Sequence, residues 1–263
     1  MTQQSSFFDR QSRQGRQAVL GVLVVLTAAC WIVPLGASAD TGKASHAANV
    51  WATAPPSPSA TETVNPTRRA SFGQEKASPE ARHVANWVID SADNQGMPFM
   101  IIDKVHARVM MFDATGRLQG AAPALLGLAR GDDSAPGIGQ RKLSSIRPDE
   151  RTTPAGRFVA SLDRDMNGKE MLWVDYETAI SLHPVVKGTP AERRSQRLDS
   201  ATPNDNRISY GCINVPLKFY ELFVSSAFTG TSGIVYILPE TRTAQEVFGS
   251  YDVKNLSVLA AKP

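Results

Sequence analysis

The 263 residues suffice for one sizeable domain with appendages, and 42% hydrophobic against 20% charged residues exclude a wholly disordered chain. The net charge is +3, of which Arg10, Arg13 and Arg16 against Asp9 supply +2 in the first 39 residues. The remainder is almost neutral, so no clustered basic face argues for a nucleic-acid partner.

The chain opens with those arginines, an apolar run AVLGVLVVLTAACWIV (18–33), Pro34 and the triplet Ala37-Ser38-Ala39. A basic start, an apolar stretch and an A-x-A end describe a secretory signal over 1–39, cleaved after Ala39. The same segment is about 20 residues long from Ala18 to Ala37, enough for a retained anchor in the inner membrane. A lipid-modified Cys30 is a third reading, which the apolar Trp31-Ile32-Val33 disfavours. All three place the body outside the cytoplasm, in the periplasm or cell envelope.

Residues 40–76 (including WATAPPSPSATETVNPTRR) lack periodicity and read as a flexible linker. A helix is expected over 77–96: Ser78 as N-cap, Pro79 at the first helical position, Gly96 beyond the end, and an apolar stripe of Ala81, Val84, Ala85, Val88 and Ile89. The body, 97–263, then turns to short strands. PFMIID (98–103) and ARVMMFD (107–113) flank a turn at Lys104 to His106, and LQGAAPALLGLA (118–129) continues the sheet. Residues 130–151 form a polar loop. Strands follow at 157–163, 171–176 and 179–183, then a polar segment 184–207. SYGCIN (209–214) precedes Pro216. Residues 217–228 read as a helix with Leu217, Tyr220, Phe223, Val224 and Phe228 on its apolar face, and GIVYILPE (233–240) closes the sheet. The class is mainly β with flanking helices.

With Cys30 in the export segment, Cys212 is the one thiol of the mature body. A lone cysteine forms no internal disulfide, and in an oxidising compartment it is either a small buried hydrophobe or a reactive group. Its setting, Ser209-Tyr210-Gly211-Cys212-Ile213-Asn214, lies just before Pro216 and fits the start of a helix, where amide N–H groups favour thiolate. The N–H groups of Tyr210, Gly211 and Cys212 could converge on a developing oxyanion. Of the four histidines, His46 falls in the linker, His83 on the polar side of the first helix, His106 on a hairpin tip, and His183 at a strand end. His183 is the candidate base, its Nδ1–H oriented by a backbone carbonyl.

These residues resemble the L,D-transpeptidase (YkuD-type) catalytic domain. That family carries a strand-end histidine, a variable loop and [ST]-H-G-C-hydrophobic-[NR]; here stand His183, Ser209, Gly211, Cys212, Ile213 and Asn214. Gly127 and Thr153-Pro154-Ala155-Gly156 match its upstream glycine and T-P-x-G turn. The resemblance covers about 97–240. It implies a β-sandwich of mixed sheets with a helix beside the cysteine, Cys212 as nucleophile and His183 as base. It further implies Ser209 and Asn214 as turn supports, an oxyanion site at the Gly211–Cys212 backbone beside Tyr210, and no metal or cofactor. The implied activity is two-step acyl transfer in cell-wall biogenesis and cell shape. A thioacyl-enzyme forms on peptidoglycan peptide stems, D-Ala leaves, and an amine, that of a wall-linked protein included, takes the acyl group. Hydrolysis of the same linkages (an L,D-carboxypeptidase or endopeptidase) and a catalytically impaired wall-binding module are the alternatives. Three features depart from the pattern. Tyr210 replaces the motif histidine, Pro184 follows His183, and the 184–207 loop is long, with Lys187, Arg193, Arg194, Arg197 and Arg207 against Glu192, Asp199 and Asp205. That loop could act as a lid gripping substrate carboxylates.

Overall fold

The computed structural model describes residues 68–253; the export segment, most of the linker and the last ten residues lie outside the described residues. The expected linker ends earlier than its composition suggests. Ser71 pairs with the chain around Arg117 (Ser71 N to Gly116 O 2.8 Å, Leu118 N to Ser71 O 2.8 Å), and Phe72 is buried edge-on against Phe112. Ala70 and Ala77 pack on the same cluster, and Glu75 pairs with Arg108, so several contacts bring this segment onto the core.

Helix α1 (Pro79–Ser91) is opened by Ser78, whose hydroxyl accepts the Ala81 N–H at 3.1 Å, and by Pro79, whose missing N–H is one the helix leaves unpaired in any case. It ends before Gly96, at Ala92, which takes the left-handed conformation itself (φ 56°). Ala81, Val84, Ala85, Val88 and Ile89 are buried, with Trp87 beside them.

Ten strands follow: β1 (Phe99–Asp103), β2 (Arg108–Phe112), β3 (Leu118–Pro123), β4 (Leu126–Gly127), β5 (Gly156–Arg164), β6 (Glu170–Asp175), β7 (Ile180–Pro184), β8 (Arg207–Ser209), β9 (Ile213–Val215) and β10 (Ser232–Ile237). Eight form one mixed sheet in the order β3-β2-β1-β10-β5-β6-β7-β9. The β1–β10 and β7–β9 pairs are parallel and the others antiparallel. β4 and β8 form a separate parallel pair, so the run expected as one strand over 118–129 breaks at Pro123 and changes sheet. Leu125 exchanges both backbone hydrogen bonds with Asn214 (2.8 and 2.9 Å). This draws the chain beyond β3, at one end of the sheet, onto β9 at the other.

The sheet therefore curls over a core. On its inner face Met100, Val109, Met111, Leu172, Val174, Leu182, Ile213, Val215 and Val235 form one cluster with the helix after β9. On the other face of β1, β2 and β10, α1 covers Phe99, Ile101, Met110, Ile234 and Tyr236. The helix after β9, α3, has three parts: Leu217–Phe219, a π-helical stretch Tyr220–Ser225, and Ser226–Phe228. Its extra residue per turn rephases the apolar face. Phe219, Tyr220, Val224 and Phe228 are buried, whereas Leu217, expected on that face, is exposed. The 184–207 segment holds a short helix, α2 (Arg194–Leu198), and Ala244–Phe248 forms α4 behind a Thr243–Glu246 capping box.

The expected turn at Lys104 to His106 conceals a buried charge. Lys104 has a fully covered side chain, and its ammonium donates to Gly131 O (2.6 Å), Asp132 Oδ1 (2.8 Å) and Thr153 O (3.0 Å), with Glu240 at 3.8 Å. Arg207, placed in the loop by its sequence, is buried too, donating to Glu240 at 2.6 Å and to Lys104 O at 2.9 Å. Burial lowers the Lys104 pKa against the pull of Asp132 and Glu240. Asp132, whose burial would raise its pKa, is held well below the carboxylate range by Lys104, Thr241 and two backbone N–H groups.

Candidate active site

Side chains alternate across a strand, so the residues that follow the inward Ile180 and Leu182 of β7 face the other way. These are Ser181 and His183. Register extends the pattern over the sheet. Ser161 of β5 pairs with Trp173 of β6, Trp173 with Ser181, and His183 with Asn214 of β9. Cys212, one residue before β9, lies beside Ser181. The expectation that Cys212 opens a helix is corrected here. Cys212 leads into β9, and the helix begins only after Pro216, so helix N-terminal N–H groups do not reach the sulfur.

What surrounds the sulfur is side-chain chemistry instead. The thiol is half-buried, with the His183 side chain near enough to shift its titration. Ser181 Oγ donates to Sγ at 3.5 Å, and Ala179 O lies 3.6 Å from it. Burial works against ionising Cys212, but His183, through hydrogen bonding and charge, and then Ser181 outweigh it, and the thiol sits below its ordinary 9.0. Burial likewise works against a charged His183. The hydrogen bond and charge of Cys212 and the Pro184 carbonyl override it, raising the imidazole above 6.5. His183 Nδ1 lies 2.9 Å from Pro184 O. A carbonyl only accepts, so Nδ1 carries the hydrogen and Nε2 is the nitrogen free to exchange a proton with sulfur.

The turn before the cysteine is held from several sides. Gly211 has φ +133°, and a Cβ there would stand 2.8 Å from Thr152 O, so neither conformation nor space admits a side chain. Ser209 Oγ accepts the Gly211 N–H at 3.1 Å and donates to Cys212 O at 2.6 Å. That occupies the Gly211 N–H inside the turn and removes it from the donors expected to face an oxyanion. Thr153, fully buried, donates through Oγ1 to Gly211 O (2.7 Å) and accepts the Gly127 N–H (2.8 Å). A Cβ on Gly127 would lie 2.4 Å from Arg151 O, so this close approach also requires glycine. Asn214 Nδ2 donates to Cys212 O at 3.3 Å, while its Oδ1 accepts from Arg194 at 3.0 Å.

Tyr210 lies under Arg151, whose guanidinium carbon is 3.9 Å from the ring centroid, a cation–π stack that fixes the ring. Two of the loop cations are engaged within the loop. Arg194 also pairs with Glu192 (2.7 Å), and Arg197 donates to the carbonyls of Glu192 and Asp205 at 2.8 Å each. His83 meets Ser250 at 2.9 Å rather than solvent alone, and His106 meets Asp103 at 2.9 Å; neither is brought to Cys212. Among the described residues no group of three or more His, Cys, Asp or Glu is placed to hold a metal, and no helix is long and apolar enough to cross a membrane.

No family model and no curated protein matches the sequence. Solved structures with a similar backbone include an L,D-transpeptidase from Xylanimonas cellulosilytica (15% identity, TM-score 0.35, covering 54% of this chain and 60% of that one). The helical cell shape determining protein Pgp2 from Campylobacter jejuni gives 12%, 0.39, 61% and 52%, and the catalytic domain of the E. faecium L,D-transpeptidase 15%, 0.28, 53% and 95%. The chain thus spans between half and two thirds of the first two. The chemistry of the site rests on its side chains, not on these figures.

Proposed function

We propose that this chain is a cysteine acyltransferase acting on peptide stems of the bacterial cell wall, with Cys212 as nucleophile and His183 as its acid and base. The observation that carries the proposal is the register of β7 with β9, which sets Cys212 beside Ser181 and His183 so that thiol and imidazole shift each other's titration, with His183 Nδ1 held by Pro184 O. A structural cysteine needs no such partner; a nucleophile does. The resemblance of His183, Ser209, Gly211, Cys212 and Asn214 to the L,D-transpeptidase pattern supplies the substrate class.

In the reaction the thiolate attacks the amide carbonyl after the L-centre of diaminopimelate in a tetrapeptide stem. An S–C bond forms and the carbonyl π electrons pass to oxygen. Of the donors expected at that oxygen, the Cys212 and Tyr210 N–H groups remain. Collapse breaks the C–N bond, and the His183 imidazolium gives its proton to the departing D-Ala nitrogen. An acceptor amine then attacks the thioester, returning a proton to His183 and the electron pair to sulfur. Export to the envelope is part of this reading, because the substrate lies there.

Purified protein incubated with defined muropeptides tests it. Products read by mass should include cross-linked dimers and an intermediate carrying the acyl group on Cys212. Shortened monomers without dimers would replace transfer by hydrolysis through the same thioester. No adduct on Cys212 and no product with any stem would leave the wall-binding module as the reading.

A further inference from the structure

Ser181 contributes a contact to the sulfur that the motif does not contain. It lies two residues before His183 on β7, so both side chains leave the same face of the strand. Its side chain is buried, and among the described residues its hydroxyl makes one hydrogen bond, to Cys212 Sγ at 3.5 Å. A neutral thiol is a weak acceptor, whereas a thiolate is a charged one. A buried hydroxyl whose partner is sulfur is therefore well paired only when that sulfur is ionised. Sγ has one acceptor suited to its protonated form, Ala179 O at 3.6 Å. Its anionic form is served by the Ser181 hydroxyl and by the charge of the neighbouring His183.

On the reading of Cys212 as nucleophile, we propose that Ser181 is a further catalytic residue, its hydroxyl donating to the sulfur and sharing with His183 the stabilisation of the thiolate. The donation is strongest in the free enzyme. As the S–C bond forms, negative charge leaves sulfur for the carbonyl oxygen and the Ser181 contact weakens. The hydroxyl thus trades some intrinsic nucleophilicity for a larger thiolate fraction, because nucleophilicity falls as the thiol's pKa falls.

That trade has a pH signature. Alkylation of the full chain by iodoacetamide, which forms an S–C bond and releases iodide, is followed from pH 4 to pH 10 by mass on the Cys212 peptide. Ser181→Ala and Ser181→Thr are compared with the wild type, and thermal melts confirm folding. Ser181→Ala should move the midpoint upward and slow alkylation near neutrality about three- to tenfold. Above the new midpoint its rate should equal or exceed that of the wild type. Ser181→Thr, which keeps the hydroxyl, should restore the lower midpoint. An unchanged midpoint in Ser181→Ala, a uniform slowing at every pH, or a Thr variant that behaves as Ala overturns the assignment. A wild-type profile matching a free thiol would instead remove the nucleophile reading on which this inference rests.

Discussion

The protein contains two clusters of buried ionisable groups, and they are built on opposite terms. Around Lys104, Asp132, Arg207 and Glu240 every charge meets a counter-charge and the remaining valences are filled by backbone: Lys104 takes two carbonyls, and Asp132 accepts the N–H groups of Glu240, Thr241 and Arg242. Around Cys212 the charges are those of sulfur and imidazole, on a face open enough to leave both side chains half-buried. Both clusters perturb titration. The difference teaches that a shifted pKa alone does not mark the working site; a nucleophile and a base that shift each other, both partly exposed, are the better sign.

The two should break differently. Cys212→Ala removes a reacting atom and little packing. Acyl transfer is expected to fall roughly 10⁵–10⁶-fold, with the urea midpoint almost unmoved. A large loss of stability there would make the thiol a core residue after all. Lys104→Met is the mirror image. It strands the buried Asp132 without its close cation, although Arg207 still pairs with Glu240, and should cost about 3–5 kcal/mol in chemical denaturation, while the midpoint pH of Cys212 alkylation in the folded protein stays put.

Thr153→Val tests the joint between the clusters, because Thr153 O accepts from Lys104 and Thr153 Oγ1 clamps Gly211. The substitution keeps shape but orphans the Gly127 N–H and the Gly211 carbonyl. A loss of about 1–3 kcal/mol together with slower acylation is expected. Stability lost with full acylation would detach the clamp from catalysis. The finest test is pH. Cys212 is lowered from 9.0 and His183 raised from 6.5, each partly by the other's charge, so both shifts favour the charged pair. Acyl transfer should fall as pH drops through the lowered Cys212 value and the thiolate is protonated. It should fall again as pH rises through the raised His183 value and the leaving amine loses its proton donor. Alkylation needs only the thiolate and should show the first limb alone. Two limbs in both assays would separate the high-pH limb from His183.

Much of this was legible in the chain. Ser78 and Pro79 announced α1, the short apolar runs announced the sheet, and one body thiol with one strand-end histidine announced the candidate pair. What escaped depends on pairing between distant segments. Ser181 reads as an ordinary strand serine until the parallel register of β7 with β9 sets it beside Cys212. Lys104 sits in a turn, where lysine usually means solvent, and only Asp132 and Glu240, 28 and 136 positions away in the chain, explain its burial. Cys212 was taken for a helix start because Pro216 and an apolar stripe follow closely, but three residues suffice for a strand when Leu182 and Leu125 wait on either side. The π-helical stretch, which turns Leu217 outward, leaves no mark that a 3.6-residue periodicity would catch.

The position of β10 has a consequence for how the molecule comes into being. Ser232–Ile237 is the last strand in sequence, yet it lies in the middle of the sheet, between β1 and β5. Any shorter nascent chain lacks the plank that joins its two halves, and it also lacks Glu240, which Arg207 and Lys104 require. Until Ser232–Ile237 has been added, a growing polypeptide cannot close the sheet that sets Ser181 and His183 around Cys212.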